Sequence, residues 1–190
     1  METTTTAPHL LDERYCIMTL PGVLSPAECA SLIDFAERQG FGDAPVSTGL
    51  GFVMMPELRN NTRVMVDDLA RAAELWRRVE HAVPRARGAS RAVGLNERFR
   101  FYRYDVGQRF GWHRDGAFDR SGRERSHLTL MFYLNDDFEG GATEFDDGLV
   151  VTPRRGSALV FAHPVRHQGA AVTRGRKYVL RTDVMYRRDG

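Results

Sequence analysis

Cysteine is scarce here. Cys16 and Cys29 are the only two in 190 residues, too few for a disulfide framework. No apolar run approaches the roughly 18 residues needed to cross a bilayer. No charge of one sign dominates: 27 Lys and Arg stand against 25 Asp and Glu, a net +2. That balance makes no case for a nucleic-acid or membrane partner. The opening Met1-Glu-Thr-Thr-Thr-Thr-Ala-Pro8 has no basic stretch followed by an apolar one, so no signal peptide is expected and a cytoplasmic setting is the default. Internal repeats and low-complexity segments are also missing. A length of 190 residues suits one domain, 1–190, with a sizeable core. The Arg85-Ala-Arg87-Gly-Ala-Ser-Arg91 cluster reads as a solvated loop.

What is present divides into two textures. Residues 1–13 read as a polar, flexible tail, 14–96 as a helical support region, and 97–186 as a strand-rich core. Tyr15–Leu20 is a plausible strand, stopped by Pro21-Gly22. Ser25-Pro26-Ala27-Glu28 spells a helix start, in which Ser25 and Glu28 satisfy each other's backbone N–H groups and Pro26 loses nothing at the first position. Leu24 and Cys29 can staple that turn, Leu32, Ile33, Phe35 and Ala36 give the buried stripe, and Gly40 ends it. A second helix starts at Asp67-Asp68, with Leu69, Ala72, Trp76, Val79 and Val83 on one face and Pro84 as the stop.

From about residue 97, period-2 alternation replaces period 3.6. Strands are expected at 98–104, 109–113, 127–134, 142–146, 149–152, 157–161, 165–172 and 177–186. Eight short strands separated by Gly, Pro and Asp point to a mainly β fold, a double-stranded β-helix (jelly roll, cupin-like) packed against the N-terminal helices.

Four of the six histidines lie in this strand-rich half. His113 and Asp115 are two apart, which in an extended segment puts both on one face. Phe161-Ala-His163-Pro-Val-Arg-His167-Gln-Gly169 offers two candidates for a third ligand. Two imidazoles and one carboxylate make the facial triad of non-haem Fe(II) oxygenases, although zinc accepts the same donors.

Residues 97–186 resemble the catalytic domain of the prolyl 4-hydroxylase-like branch of the Fe(II)- and 2-oxoglutarate-dependent dioxygenases. Four blocks carry the likeness, in order. They are Tyr104–Asp115, Leu130-Met-Phe-Tyr133-Leu-Asn135, Gly140-Gly-Ala-Thr-Glu-Phe145 and His167–Lys177. Arg59-Asn60-Asn61-Thr62-Arg63 is also similar. The resemblance implies His113, Asp115 and His167 as iron ligands. His167 is preferred over His163 because Gly169, Val172, Gly175 and Lys177 fit the family spacing only from that origin. It implies that Lys177 and Tyr133 hold the far carboxylate of 2-oxoglutarate, with Tyr104 beside the co-substrate. It further implies Fe(II), 2-oxoglutarate and O2, with ascorbate as reductant, and release of succinate and CO2. Related halogenases carry a small residue where Asp115 stands, so hydroxylation of an unactivated C–H bond is the implied outcome.

Strand parity extends the reading to the substrate. Leu128, Leu130, Phe132 and Leu134 should face the helices, and His127, Thr129, Met131 and Tyr133 the interior. Lys177 makes Val179, Arg181 and Asp183 inward as well, and Tyr104 does the same for Arg100 and Tyr102. Ionised residues rarely face a closed interior without a partner or a function. Arg181 and Asp183 therefore either pair, or bond an iron ligand, or bind substrate. Arg100, Tyr102, Arg181 and Asp183, with Asn60 and Arg63 from the preceding loop, suit a small zwitterionic or anionic molecule. Three alternatives stand beside this: a prolyl or other protein-residue hydroxylase, a nucleic-acid demethylase using Arg181 and Arg187, and a non-catalytic metal-binding module.

Overall fold

The computed structural model describes residues 7–48 and 51–188. Its first helix, α1 (Pro26–Gln39), begins where the capping signals lie. Ser25 Oγ accepts from Glu28 N at 3.2 Å, and Glu28 Oε2 accepts from Ser25 N at 2.7 Å. The staple pair Leu24 and Cys29 is buried, and Gly40 caps the other end.

The second helix, α2 (Leu69–Val79), is capped by Asp68, whose side chain accepts from Arg71 N. Its buried stripe is Ala72, Leu75 and Val79, while Leu69 is 76% exposed and Trp76 only partly covered. The face is thus rotated from the expected one towards Leu75. The helix also stops at Val79, well before Pro84. Ala82 N closes a tighter turn onto Val79 O at 3.0 Å, and Val83 is buried without being helical.

Two sheets follow. The larger has ten strands. Its centre is the long strand Lys177–Arg188, flanked by Glu124–Tyr133 and Arg98–Tyr104. The smaller runs Phe110–His113, His167–Gly169, Thr143–Phe145, Val150–Val151. One face of the large sheet packs on the helices: Leu128, Leu130, Phe132, Leu134 and Leu180 share a cluster with Cys29, Ala36, Leu75 and Val79. Its other face meets the small sheet, where Tyr102, Tyr104, Tyr133 and Val179 pack with Phe110, Phe145 and Phe161. Burying both faces explains why the two kinds of parity were readable, one apolar and one mixed.

The structure corrects four expectations. Residues 9–12 are not tail: His9–Asp12 pairs with Ile17–Leu20 at the sheet edge. The supposed helical support region also supplies strands, among them Thr62–Asp67, which pairs with Arg98–Tyr104. The arginine cluster forms a hairpin, Ala86–Arg87 against Ser90–Leu95, and the latter joins Lys177–Arg188. The single strand expected over 165–172 is two, His167–Gly169 and Val172–Arg174, each pairing in a different sheet. Local alternation cannot see such long-range pairings, since a strand's partner is set by the whole sheet.

Candidate active site

His113 and His167 sit opposite each other as register partners in the antiparallel pair of Phe110–His113 and His167–Gly169. Their rings lie 4.3 Å apart between centroids. Each Nδ1 faces a backbone carbonyl two residues back, Gly111 O at 2.8 Å and Val165 O at 3.1 Å. A carbonyl only accepts, so each Nδ1 carries the proton and each Nε2 keeps its lone pair free for a metal. Those Nε2 atoms point at one carboxylate: His113 Nε2 is 3.6 Å from Asp115 Oδ1, and His167 Nε2 is 3.8 Å from Asp115 Oδ2. All three donors fall within 4.8 Å of one another. Desolvation pushes the His167 pKa down to about 4, so the ring is neutral at pH 7, as a ligand must be. The donor chemistry fits Fe(II).

Asp115 is buried, which by itself opposes ionisation, yet the Arg181 guanidinium beside it holds its carboxyl well below the usual range. Arg181 Nη1 lies 3.0 Å from Asp115 Oδ1, and Nη2 lies 3.2 Å from Asp183 Oδ1. Arg100 closes the chain through Asp183 Oδ2 at 3.1 Å. Of the roles open to Arg181, these contacts show the pair with Asp183 and the bond to the ligand carboxylate.

His163, the rival ligand, is committed elsewhere. Thr129 Oγ1 lies 2.5 Å from Asp115 Oδ2, to which it donates, and 3.0 Å from His163 Nδ1, from which it accepts. The other ring nitrogen then accepts from Ser126 Oγ at 2.9 Å. Both ring nitrogens are used, and none is left for a metal. His127 does not face the interior. The strand register slips between Ser126 and Leu128, so Ser126 takes the inward place and His127 stacks on Tyr186 at 4.9 Å, on the helix side. A β-bulge reverses parity from that point, which alternation alone does not reveal.

The residues that the resemblance assigns to the co-substrate lie next to the triad. Lys177 is 3% exposed, and its Nζ donates to Gly141 O at 2.6 Å. It lies over the rings of Tyr104 and Tyr133 at 5.2 and 5.6 Å. No carboxylate pairs with it among the described residues, and burial pushes its ammonium down to about 7. A buried cation with no counter-charge suits the far carboxylate of a dianion. Tyr133 is fully buried and shares a 2.8 Å hydrogen bond with Thr143. Thr143, Phe110 and Met131 line the same cavity as Tyr104, Lys177 and the triad, and parity placed only Met131 there. The turn at Gly140 and Gly141 is tight. Both have positive φ, and a Cβ on Gly140 would come within 2.4 Å of Ala171 O.

An outer cleft of about 320 Å³ opens beyond the metal ligands. Arg63, Arg100, Tyr102 and Arg181 line it, together with Arg59, to which no strand parity extends. Asn60 does not: it is exposed and its Oδ1 accepts from Arg109 N at 2.8 Å, pinning one loop to another. Asp183 supports the cleft from behind its two arginines. Arg187 pairs with Glu124 and lies outside the cleft, which removes the arginine pairing expected of a nucleic-acid demethylase.

Comparison with known proteins agrees with this geometry. Residues 99–182 match the family model of the 2OG-Fe(II) oxygenase superfamily. A PKHD-type hydroxylase of Acaryochloris marina is 27% identical over 169 residues, covering 86% of this chain and 75% of its own. Among solved structures, a prolyl-4-hydroxylase of Pseudomonas putida superposes with a TM-score of 0.64 at 17% identity, covering 93% of this chain and 94% of its own. A Trichoplax adhaerens prolyl hydroxylase, solved with a hypoxia inducible factor peptide fragment, gives 0.67 at 14% identity, covering 88% and 82%. No described helix is long and apolar enough to cross a membrane.

Proposed function

Taking as premise that this chain is a 2OG-Fe(II) oxygenase of the prolyl 4-hydroxylase-like kind, we propose that it hydroxylates an unactivated C–H bond of a small polar molecule. The observation that carries this is the convergence of His113, Asp115 and His167 beside a buried, uncompensated lysine and beneath an arginine-lined cleft.

Iron and 2-oxoglutarate supply the oxidising chemistry, with O2 consumed and succinate and CO2 released. The chain's own residues bind and orient. His113 and His167 hold the metal through Nε2, their tautomers set by the Gly111 and Val165 carbonyls. Asp115 completes the set, held by Thr129 and Arg181. Lys177 receives the distal carboxylate of 2-oxoglutarate, with Tyr133 and Tyr104 beside it. Phe110, stacked on His113 at 3.5 Å, fixes the ring plane and helps keep water from the ligand. Arg63 and Tyr102 face the substrate side of the metal. Ascorbate as reductant and a cytoplasmic setting belong to the same proposal.

The test is succinate release from 2-oxoglutarate with Fe(II), run without and with amino acids, natural-product intermediates and proline-containing peptides. Release stimulated by small molecules and not by peptides supports the reading. Stimulation by peptides alone overturns its small-molecule part and favours a protein-residue hydroxylase. No release under any condition, with metal bound, favours a non-catalytic module.

A further inference from the structure

Six arginines line the outer cleft: Arg59, Arg63, Arg98, Arg100, Arg114 and Arg181. Three of them are answered by carboxylates. Arg98 pairs with Asp67, Arg100 with Asp183, and Arg181 with Asp115 and Asp183. Six guanidinium charges against those three carboxylates leave an excess of three. Fe(II) and a bound 2-oxoglutarate dianion would cancel each other and leave that excess in place.

The unanswered charges are Arg59, Arg63 and the exposed Arg114 at the mouth, none of which has an ion pair among the described residues. Arg59 is the informative one. It is 4% exposed, and its guanidinium lies over the rings of Tyr102 and Phe110 at 4.6 and 4.4 Å. Its Nε donates to Asn61 Oδ1 at 2.9 Å, while its Nη2 is buried with no hydrogen-bond partner. An orphaned guanidinium N–H costs free energy unless something accepts from it. Stacking on two rings fixes the orientation of that fork in advance. Arg63 is half-buried beside Tyr102; desolvation and the neighbouring Arg59, Arg100 and Arg181 weaken its charge, which Tyr102 offsets in part. Like charges are packed together here with no counter-ion, an arrangement that costs stability unless a ligand relieves it.

We propose that Arg59 and Arg63, over the face of Tyr102, form an anion subsite that binds a carboxylate of the substrate and thereby aims a distal C–H at the metal. This rests on the oxygenase reading above and narrows its substrate to a small carboxylic acid. The apolar walls of the cleft, Val46, Met65 and Phe118, suit the carbon skeleton behind such a headgroup. Planar forked donors match a carboxylate in two-point geometry, and they match a phosphate monoester as well. The test therefore carries both anions.

The full chain, with zinc in place of iron and saturating 2-oxoglutarate to fill the Lys177 site, is titrated with propanoate, propanamide and inorganic phosphate. The arginine Nε–H signals are followed by NMR. Saturable shifts of Arg59 and Arg63 with propanoate, absent with propanamide, are expected. Arg63→Gln should weaken that binding by roughly tenfold or more, and Arg63→Lys should weaken it less. Tighter binding of phosphate than of propanoate keeps the subsite and reassigns its headgroup. Shifts that are equal for propanoate and propanamide overturn the proposal, as does silence at Arg59 and Arg63. Succinate release is read separately. Anion binding without Fe(II)-dependent release would sink the oxygenase reading alone, and release without anion binding would sink the subsite alone.

Discussion

Arg181 Nη1 lies 3.0 Å from Oδ1 of Asp115, so the carboxylate offered to the metal is already paired with a buried guanidinium. Burial alone would weaken the Arg181 charge, but Asp115 and Asp183 together hold it more firmly protonated than usual. The pair keeps Asp115 ionised and aimed, and it ties the metal ligand to the strand that also carries Lys177.

Replacing Arg181 with Met is therefore expected to weaken Fe(II) binding by about 10–100-fold, the usual cost of losing a partner of a metal ligand. The direct contact with Asp115 is what carries that expectation. The variant should also lose about 3 kcal/mol of stability in urea, because Asp183 and Asp115 lose a shared buried partner. Calorimetric metal titration checks the first claim and denaturant melts the second. Unchanged iron affinity would refute the positioning role.

Lys177 should make co-substrate binding depend on pH. Its folded pKa is about 7, against 10.5 for an ordinary lysine, so the free site is largely neutral at pH 8. The affinity for 2-oxoglutarate should fall from pH 6 to pH 8, with proton uptake on binding above pH 7. The stability linkage has a definite sign. Between pH 7 and 10.5 the unfolded chain binds more protons at this site, so its contribution to stability rises with pH. Lys177→Met should thus lose 2-oxoglutarate binding while leaving the fold intact or more stable. A destabilised fold would contradict the account.

His163 and His167 both have pKa values pushed down to about 4 by burial. Unfolded histidine titrates near 6.5, so the unfolded chain takes up protons first as pH falls. The metal-free protein should lose about 1.4 kcal/mol per pH unit per histidine between pH 6.5 and 4. Iron should protect through His167 only. His163→Leu should retain one iron per chain and lose about 1–3 kcal/mol, because Ser126 and Thr129 lose a buried partner. Loss of iron in that variant would restore His163 as a ligand.

Gly141 presents the carbonyl that Lys177 bonds, and it has φ +64°. A Cβ there would lie 3.1 Å from Lys177 Cδ and 3.0 Å from the Phe138 ring. Gly141→Ala should weaken 2-oxoglutarate binding more than it weakens metal binding, because it displaces the lysine and leaves the triad alone. Parallel titrations of the two ligands would show this, and equal losses would point to general misfolding.

The amino-acid sequence determined the chemistry and the local geometry. Ser25 and Glu28 set the start of the first helix through contacts within one turn. The i, i+2 spacing of His113 and Asp115 put two donors on one side, and parity from Lys177 along to Arg181 identified the inward row. Those features depend only on short-range backbone geometry. Tertiary structure decided which residues meet. The pairing of His113 with His167 crosses more than fifty residues, and only sheet register sets it. The bulge at Ser126–Leu128 turned His127 outward and gave His163 its partners. Arg59, from a loop with no periodicity, reached Tyr102 because Thr62–Asp67 joined the sheet beside Arg98–Tyr104. A bulge or a distant strand pairing leaves no mark on the local pattern, since its free energy comes from surfaces that touch only once the chain has closed on itself.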